Sequence, residues 1–397
     1  MSSVTPTNSI DRLKVLCAGL FSLILMLGVA RFAYTPLLPI MQAQTGMSDA
    51  VGGWLATFNY IGYMCGALVA ASVSSLVVKD YCYRAGIIVA LVTTVGMAIT
   101  DNVWVWSIMR FFAGLSSAAG LLIGSGLIMN WLIRNQYRSE LGLHFGGVGL
   151  GIAFCAIAVH FMDPYFDWRE QWWLLAAVGV LLAIPAWCWL PRPDPAPVDT
   201  GAGHMRDSPP GARFMRLMLA AYFCAGYGYV ISATFIVTIV EREPGLAGKG
   251  DLAFLVVGIA AAPASILWDL AARRWGDLKT LIAAYAIQVV GIILPVLSHT
   301  LEAALISAVL YGFTFVGIVS LVLTLAGRFY PSKPAKLMGK MTLAYGVAQI
   351  IAPALTGNIA EITGSYDIGL WLASGFMLLG VVILVLLSVS EPQKSVT

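Results

Sequence analysis

"LILMLGVARFAYTPLLPIM" (residues 23–41) is a run of nineteen residues with one charge, Arg31, near its middle. At ~1.5 Å per residue a helix of that length covers ~30 Å, the thickness of the hydrocarbon core of a bilayer. Lipid offers no partners to free backbone N–H and C=O groups, so such a run crosses as a helix. With eleven further apolar runs the chain has twelve spans, at about 14–40, 51–78, 83–101, 103–133, 139–161, 171–190, 213–240, 251–272, 279–298, 301–330, 337–361 and 367–389. The composition agrees: 59% hydrophobic, 11% charged, with a mean hydropathy of +0.85. Soluble domains carry about 25% charged residues. Strict two-residue alternation is absent, which argues against a membrane β-barrel.

Lysine and arginine set the orientation, because cytoplasmic loops carry their excess. With the N-terminus inside, 18 of the 23 fall on that side and only Arg169, Arg242 and Lys249 on the other. The remaining two, Arg31 and Arg110, lie within spans. Both termini are therefore expected in the cytoplasm. The net charge of +3 reports topology and calls for no nucleic-acid partner. The twelve tryptophans, Trp106, Trp168 and Trp172 among them, fall near span ends and are read as interfacial anchors. Of six cysteines, five lie within spans and Cys82 in a loop, with no metal-ligand spacing, so neither metal nor cofactor is expected.

Residues 191–211, "PRPDPAPVDTGAGHMRDSPPG", hold six prolines and no apolar run. This reads as an extended cytoplasmic linker. It divides the chain into an N-terminal six-helix bundle (1–190), the linker (191–212) and a C-terminal six-helix bundle (213–397). An offset of about 198 residues superposes the halves: Leu190 meets Ser388, Gly114 meets Gly312, and Arg31 meets Tyr229. The expected fold is an all-α membrane protein of twelve transmembrane helices in two pseudo-symmetric six-helix bundles, an arrangement typical of transporters.

Six plus six helices, a central cytoplasmic linker and inside termini resemble the major facilitator superfamily over essentially the whole chain. "RFFAGLSSAAG" (110–120) resembles its fourth-helix motif, and "LAARRWGDLK" (270–279) a degraded form of its loop motif, with Arg273 where aspartate is usual. "GVARFAYTPLLPIM" (28–41) and "GLAGKGDLAFLVVGIAAAPASILWDLAARRWG" (245–276) resemble the YbfB/YjiJ-type branch. The resemblance implies the fold, a transport role, and a cavity lined by helices 1, 4, 7 and 10. It also implies conformational or coupling roles for Arg110, Gly114, Asp269, Arg273 and Arg274.

No carboxylate lies in the middle of a span, so the membrane interior holds two arginines and no acidic partner. A charge at a helix centre costs roughly 2.5–3.5 kcal/mol and faces a wet cavity or a partner. A guanidinium is a rigid fork suited to a carboxylate or phosphate. Arg31 is accordingly read as binding an anionic substrate, with Pro36 and Pro39 expected to kink or end its helix just beyond. Arg110 is read either as a ligand contact or as a packing residue satisfied by backbone carbonyls. Tyr34, Asn59, Tyr63, Tyr229, Tyr311 and Gln349 are the remaining candidate substrate contacts, and Tyr227, Thr314 and Tyr345 lie on the same helices. His144 and His160, at the two ends of the fifth span, are the titratable candidates for proton coupling.

The function expected is secondary transport of a small organic anion, a carboxylate, by alternating access, with protons as a candidate coupling ion and a monomeric chain. Export of amphipathic or drug-like compounds is the alternative within transporters. A non-transporting receptor or scaffold is the alternative outside them. An enzyme is not expected, since HExxH, G-x-S-x-G and P-loop motifs are absent.

Overall fold

The computed structural model describes residues 9–137, 141–194, 210–329 and 334–390. The chain is helical throughout that range, with spans α1 (Ile10–Thr45), α2 (Asp49–Ser72), α3 (Leu76–Ile99), α4 (Val103–Arg134), α5 (Gly142–Met162) and α6 (Trp168–Cys188) in the first half. The second half follows with α7 (Ala212–Arg242), α8 (Gly250–Ala261 and Ala264–Trp275), α9 (Asp277–Leu297), α10 (Leu301–Ala326), α11 (Leu337–Thr363) and α12 (Asp367–Val389). The two pieces of α8 meet at a 44° bend. Pro263 stands at the break, where its missing N–H and its ring interrupt the helical ladder. Most of the stretch read as the linker, residues 195–209, lies outside the described residues.

Polar residues at the turns set where helices start. The Ser48 side chain accepts from Val51 N–H at α2, Asn102 from Trp104 N–H at α4, and Asp167 with Glu170 forms a capping box at α6. Two boundaries differ from the sequence reading. α3 begins at Leu76, behind the cap Ser75, and so takes Lys79, Asp80, Cys82 and Arg84 into the helix. Those charges are tolerated because Asp80 and Arg84 pair at 3.1 Å, Arg192 adds a second partner, and Arg84 donates to the Trp187 and Leu190 carbonyls. α1 runs past both prolines to Thr45 and ends at Gly46 in the left-handed conformation (φ 73°).

Four tryptophans are core residues rather than anchors. Trp106, Trp168, Trp172 and Trp268 are buried, Trp106 and Trp168 edge to face at 5.3 Å, with Trp106 Nε1 donating to Met97 O. Trp54, Trp104, Trp173, Trp275 and Trp371 are exposed, as anchors would be.

The halves meet along three helix pairs. α2 crosses α11 so closely that a Cβ on Gly53 would stand 2.3 Å from Pro353 O. α5 crosses α8 in the same way, Gly149 against Gly258 and Ala262. α1 meets α7 through the Thr35 hydroxyl, which donates to Ala233 O at 2.8 Å. At the face opposite the termini the halves are latched. Asp49 accepts a fork from Arg242 (2.8 and 2.6 Å), a bond from Gln42 (2.7 Å) and one from the Tyr366 hydroxyl (2.8 Å). Glu361 accepts from Ala50 N–H beside them. At the terminal face a crevice of about 950 Å³ opens between the halves, among residues including Leu16, Phe145, Ile266, Asp269, Arg273 and Thr324.

Candidate functional site: two buried arginines in an aromatic cage

Between latch and crevice lies the irregular middle of α1. Over Ile24–Phe32 the backbone widens into a π-helical stretch, which Ala33 N–H closes by donating to Gly28 O five residues back. Pro36 supplies the physical reason: it has no N–H for the carbonyl of Phe32, and local π adjustments are how membrane helices absorb a proline. Such turns recur at functional sites. Here the stretch carries Arg31, 5% exposed. A second π-helical stretch, Ala119–Gly124, interrupts α4 beyond Arg110.

Arg31 points toward α2 and α7. Its terminal nitrogen donates to the Tyr229 hydroxyl at 3.2 Å, and its guanidinium lies against the rings of Tyr60 (4.7 Å), Tyr63 (4.8 Å) and Phe32 (5.2 Å). Each such ring contact contributes about 0.5–2 kcal/mol. Tyr229 is a hub: its hydroxyl also accepts from Gln349 at 3.0 Å and donates to the Tyr60 hydroxyl at 3.4 Å. Its backbone carbonyl accepts from the Tyr311 hydroxyl at 2.8 Å, and its ring stacks between Phe315 (5.6 Å) and Tyr345 (5.5 Å).

Arg110 takes the other arrangement foreseen for it. It donates to the carbonyls of Arg31 (3.1 Å), Ala30 (3.4 Å) and Leu55 (3.5 Å), and sits over the Tyr34 ring at 4.3 Å. Its own carbonyl accepts from Asn59 Nδ2 at 2.9 Å. Gly114, one turn on, lets α2 and α4 touch: a Cβ there would stand 1.8 Å from Asn59 O. Among the described residues neither arginine forms an ion pair, and the one fully buried carboxylate, Asp80, is already paired.

The eight candidate contacts read from sequence, Arg31, Tyr34, Asn59, Tyr63, Arg110, Tyr229, Tyr311 and Gln349, thus converge on one locus. The others lie elsewhere. Asp269 and Arg273 form an ion pair at 2.6 Å near the terminal-side end of α8, with Arg274 exposed beside them. Tyr227 faces away and stacks on Phe376 at 4.2 Å, while Thr314 bonds its own helix. His144, one of the two histidines at the ends of the fifth span, is fully buried against Gly19 of α1. His160 is the exposed one, 3.8 Å from Asp251 across the α5–α8 contact. Tyr60, Phe32 and Phe315 were not singled out. The i, i+3 spacing of Tyr60 and Tyr63, which puts both on one face, was the available signal.

A twelve-helix membrane protein of two pseudo-symmetric six-helix bundles, with two buried arginines at its centre, has the architecture of a transporter of the major facilitator superfamily. The sequence model of the family described as "Uncharacterised MFS-type transporter YbfB" matches residues 23–385, and the chain belongs to that family. It is similar to the uncharacterised MFS-type transporter YceJ of Bacillus subtilis, 24% identical over 87% of this chain and 83% of that one. It is also similar to a gentisate transporter of Corynebacterium glutamicum, 20% identical over 87% and 81% of the respective chains. Among solved structures, a variant of the nucleoside transporter NupG superposes with a TM-score of 0.73, at 13% identity over 94% of this chain and 99% of that one. The human organic anion transporter MFSD10 superposes with 0.66, at 15% identity over 94% and 99%. At those identities the two structures speak for the fold alone.

Proposed function

We propose that the protein moves a small organic anion, a carboxylate, across the bilayer by alternating access, with Arg31 as the group that receives the charge. One observation carries this reading. Arg31 is a permanent charge in the middle of the membrane, held only by neutral hydroxyls and rings from both halves, with no ion-pair partner among the described residues. A carboxylate arriving in the site supplies the missing counter-charge and fits the guanidinium fork. The tyrosines around it suit a ligand with an aromatic or apolar body. One sequence relative agrees in sign: gentisate is itself a small organic anion.

The lysine and arginine bias supports cytoplasmic termini, and the bacterial relatives support a bacterial inner membrane. The crevice then opens inward and the Asp49 latch closes the outer side. The segment 191–212 joins two halves that rock about the site, Gly114 keeps α2 and α4 in register, the Asp269–Arg273–Arg274 end of α8 lies where the halves part at the inner face, and His144 is sealed against α1 within the first half. Protons are the coupling ion proposed, and the monomer the working unit.

The test is counterflow in proteoliposomes with a panel of labelled carboxylates, phosphates, sugars and organic cations. Uptake restricted to anions, and abolished by Arg31→Ala, is expected. Uptake of cations, or anion uptake unchanged in Arg31→Ala, overturns the reading.

A further inference from the structure

A small void lies at the centre of the molecule, beside Arg31 and Asn59. It measures about 10 Å³, room for one small group such as a water or a hydroxyl, and is lined by Arg31, Thr35, Asn59, Tyr60, Arg110 and Thr234 among others. Nearly every polar group on its wall is engaged. Thr35 donates to Ala233 O, Thr234 to Val230 O, and Arg110 to the carbonyls of α1 and α2. Two buried polar atoms of its lining residues are left without partners, Arg31 Nε and Asn59 Oδ1. Arg31 is 5% exposed and Asn59 1%.

These two atoms are of opposite kind. Arg31 Nε–H is a donor on a cation, whereas Asn59 Oδ1 is an acceptor only. The amide cannot be turned over to change this, because its nitrogen donates to the Arg110 carbonyl, where an amide oxygen would face another oxygen. A bare carboxylate satisfies the first atom and sets its own oxygens against the second. A ligand that carries a hydroxyl beside its carboxylate satisfies both, the carboxylate accepting from Arg31 and the hydroxyl donating to Asn59.

We infer that the transported anion is a hydroxy acid, its carboxylate on Arg31 and a neighbouring hydroxyl on Asn59 Oδ1, where the void now stands. The inference rests on the anion reading and adds the hydroxyl to it. Sites that bond a substrate hydroxyl reject the analogue lacking it, because the buried protein group is then left unpaired.

The experiment compares two matched pairs in proteoliposomes, lactate with propionate and salicylate with benzoate, as competitors for uptake and as stabilisers in a thermal-shift assay. In the wild-type protein the hydroxy acid of the accepted pair is expected to be favoured by about tenfold or more. In Asn59→Ala that ratio falls toward one, and a thermal scan without ligand reports whether the variant is folded. Should the variant not fold, the wild-type ratio decides alone. Equal handling of both members of a pair overturns the hydroxyl assignment and leaves the anion reading standing. Rejection of all four acids alongside uptake of a non-anionic solute overturns both.

Discussion

Arg31 of α1 donates to the hydroxyl of Tyr229 of α7 at 3.2 Å, and the two residues are 198 positions apart, the same step that superposes the two halves of the chain. Thr35 and Ala233, joined by the neighbouring bond, are separated by the same step. Equivalent points of a duplicated unit thus meet face to face at the centre of the molecule. One copy brings a cation and the other a phenol. Three side chains depend on that phenol, since Gln349 and Tyr60 share it. Tyr229→Phe is expected to lower stability by about 1–3 kcal/mol, as a buried donor on Arg31 loses its acceptor. Thermal unfolding in detergent measures this, and an unchanged transition would contradict the hub.

The two arginines are expected to fail differently. Arg31→Lys keeps a charge but loses the fork, and should raise the half-saturation constant for the transported anion by about tenfold or more, 1.4 kcal/mol per decade. Arg110→Lys should instead cost about 1.5–3 kcal/mol of stability, because Arg110 is bonded to carbonyls of the π-helical stretch. Concentration-dependent uptake and thermal scans on both variants separate the two effects. Matching defects in both would remove the distinction.

Closure of the face opposite the termini is expected to depend on Asp49. Asp49→Asn weakens the fork from Arg242, so that face should spend more time apart. Spin labels at the exposed positions Asp101 and Lys249, one in each half, would report a longer distance population in the variant. Identical distance distributions would mean that the latch does not hold the face.

Tyr366 gives that latch a defined pH range. Burial, and then the Asp49 carboxylate beside it, hold its pKa well above the usual tyrosine value. A group raised in this way contributes fully below the ordinary value near 10 and is lost only as pH rises beyond it. Tyr366→Phe should therefore widen the label distance by the same amount at every pH from 6 to 9. A pH-dependent difference within that window would show that another group on the latch titrates.

Gly114→Val places side-chain atoms where a Cβ alone would already stand 1.8 Å from Asn59 O. Separating α2 from α4 pulls Asn59 off the Arg110 carbonyl, so both stability and uptake should fall, stability by about 1–3 kcal/mol or more. A variant with wild-type melting temperature would show that α2 can shift without cost.

Apolar length and charge bias made the span count, the duplication and the buried arginines readable in the sequence, and the repeat offset placed Tyr229 opposite Arg31. Other features depend on tertiary contacts that no local pattern encodes. Asp49 and Arg242 stand at span ends, where charges ordinarily face water, and only the approach of the halves makes them partners. Trp106, Trp168 and Trp172 fall at the positions of interfacial anchors, yet pack inward because neighbouring helices cover them. Pro36 and Pro39 read as a kink or a helix end. The structure absorbs them by widening the turns before them, which carries α1 on to Thr45. His144 sits in the first turn of its helix, where only tertiary packing, against α1, determines that it is sealed off.

The π-helical stretches also set a lopsidedness between the copies. Among the described residues both stretches lie in the first half, in α1 and α4, as do both intramembrane cations, while α7 and α10 stay regular and bring neutral aromatic groups. If the cargo is an anion, its strongest attachment is to a single half. It would then travel as a passenger of the N-terminal bundle, while the C-terminal bundle acts as a shutter drawn across it from alternate sides.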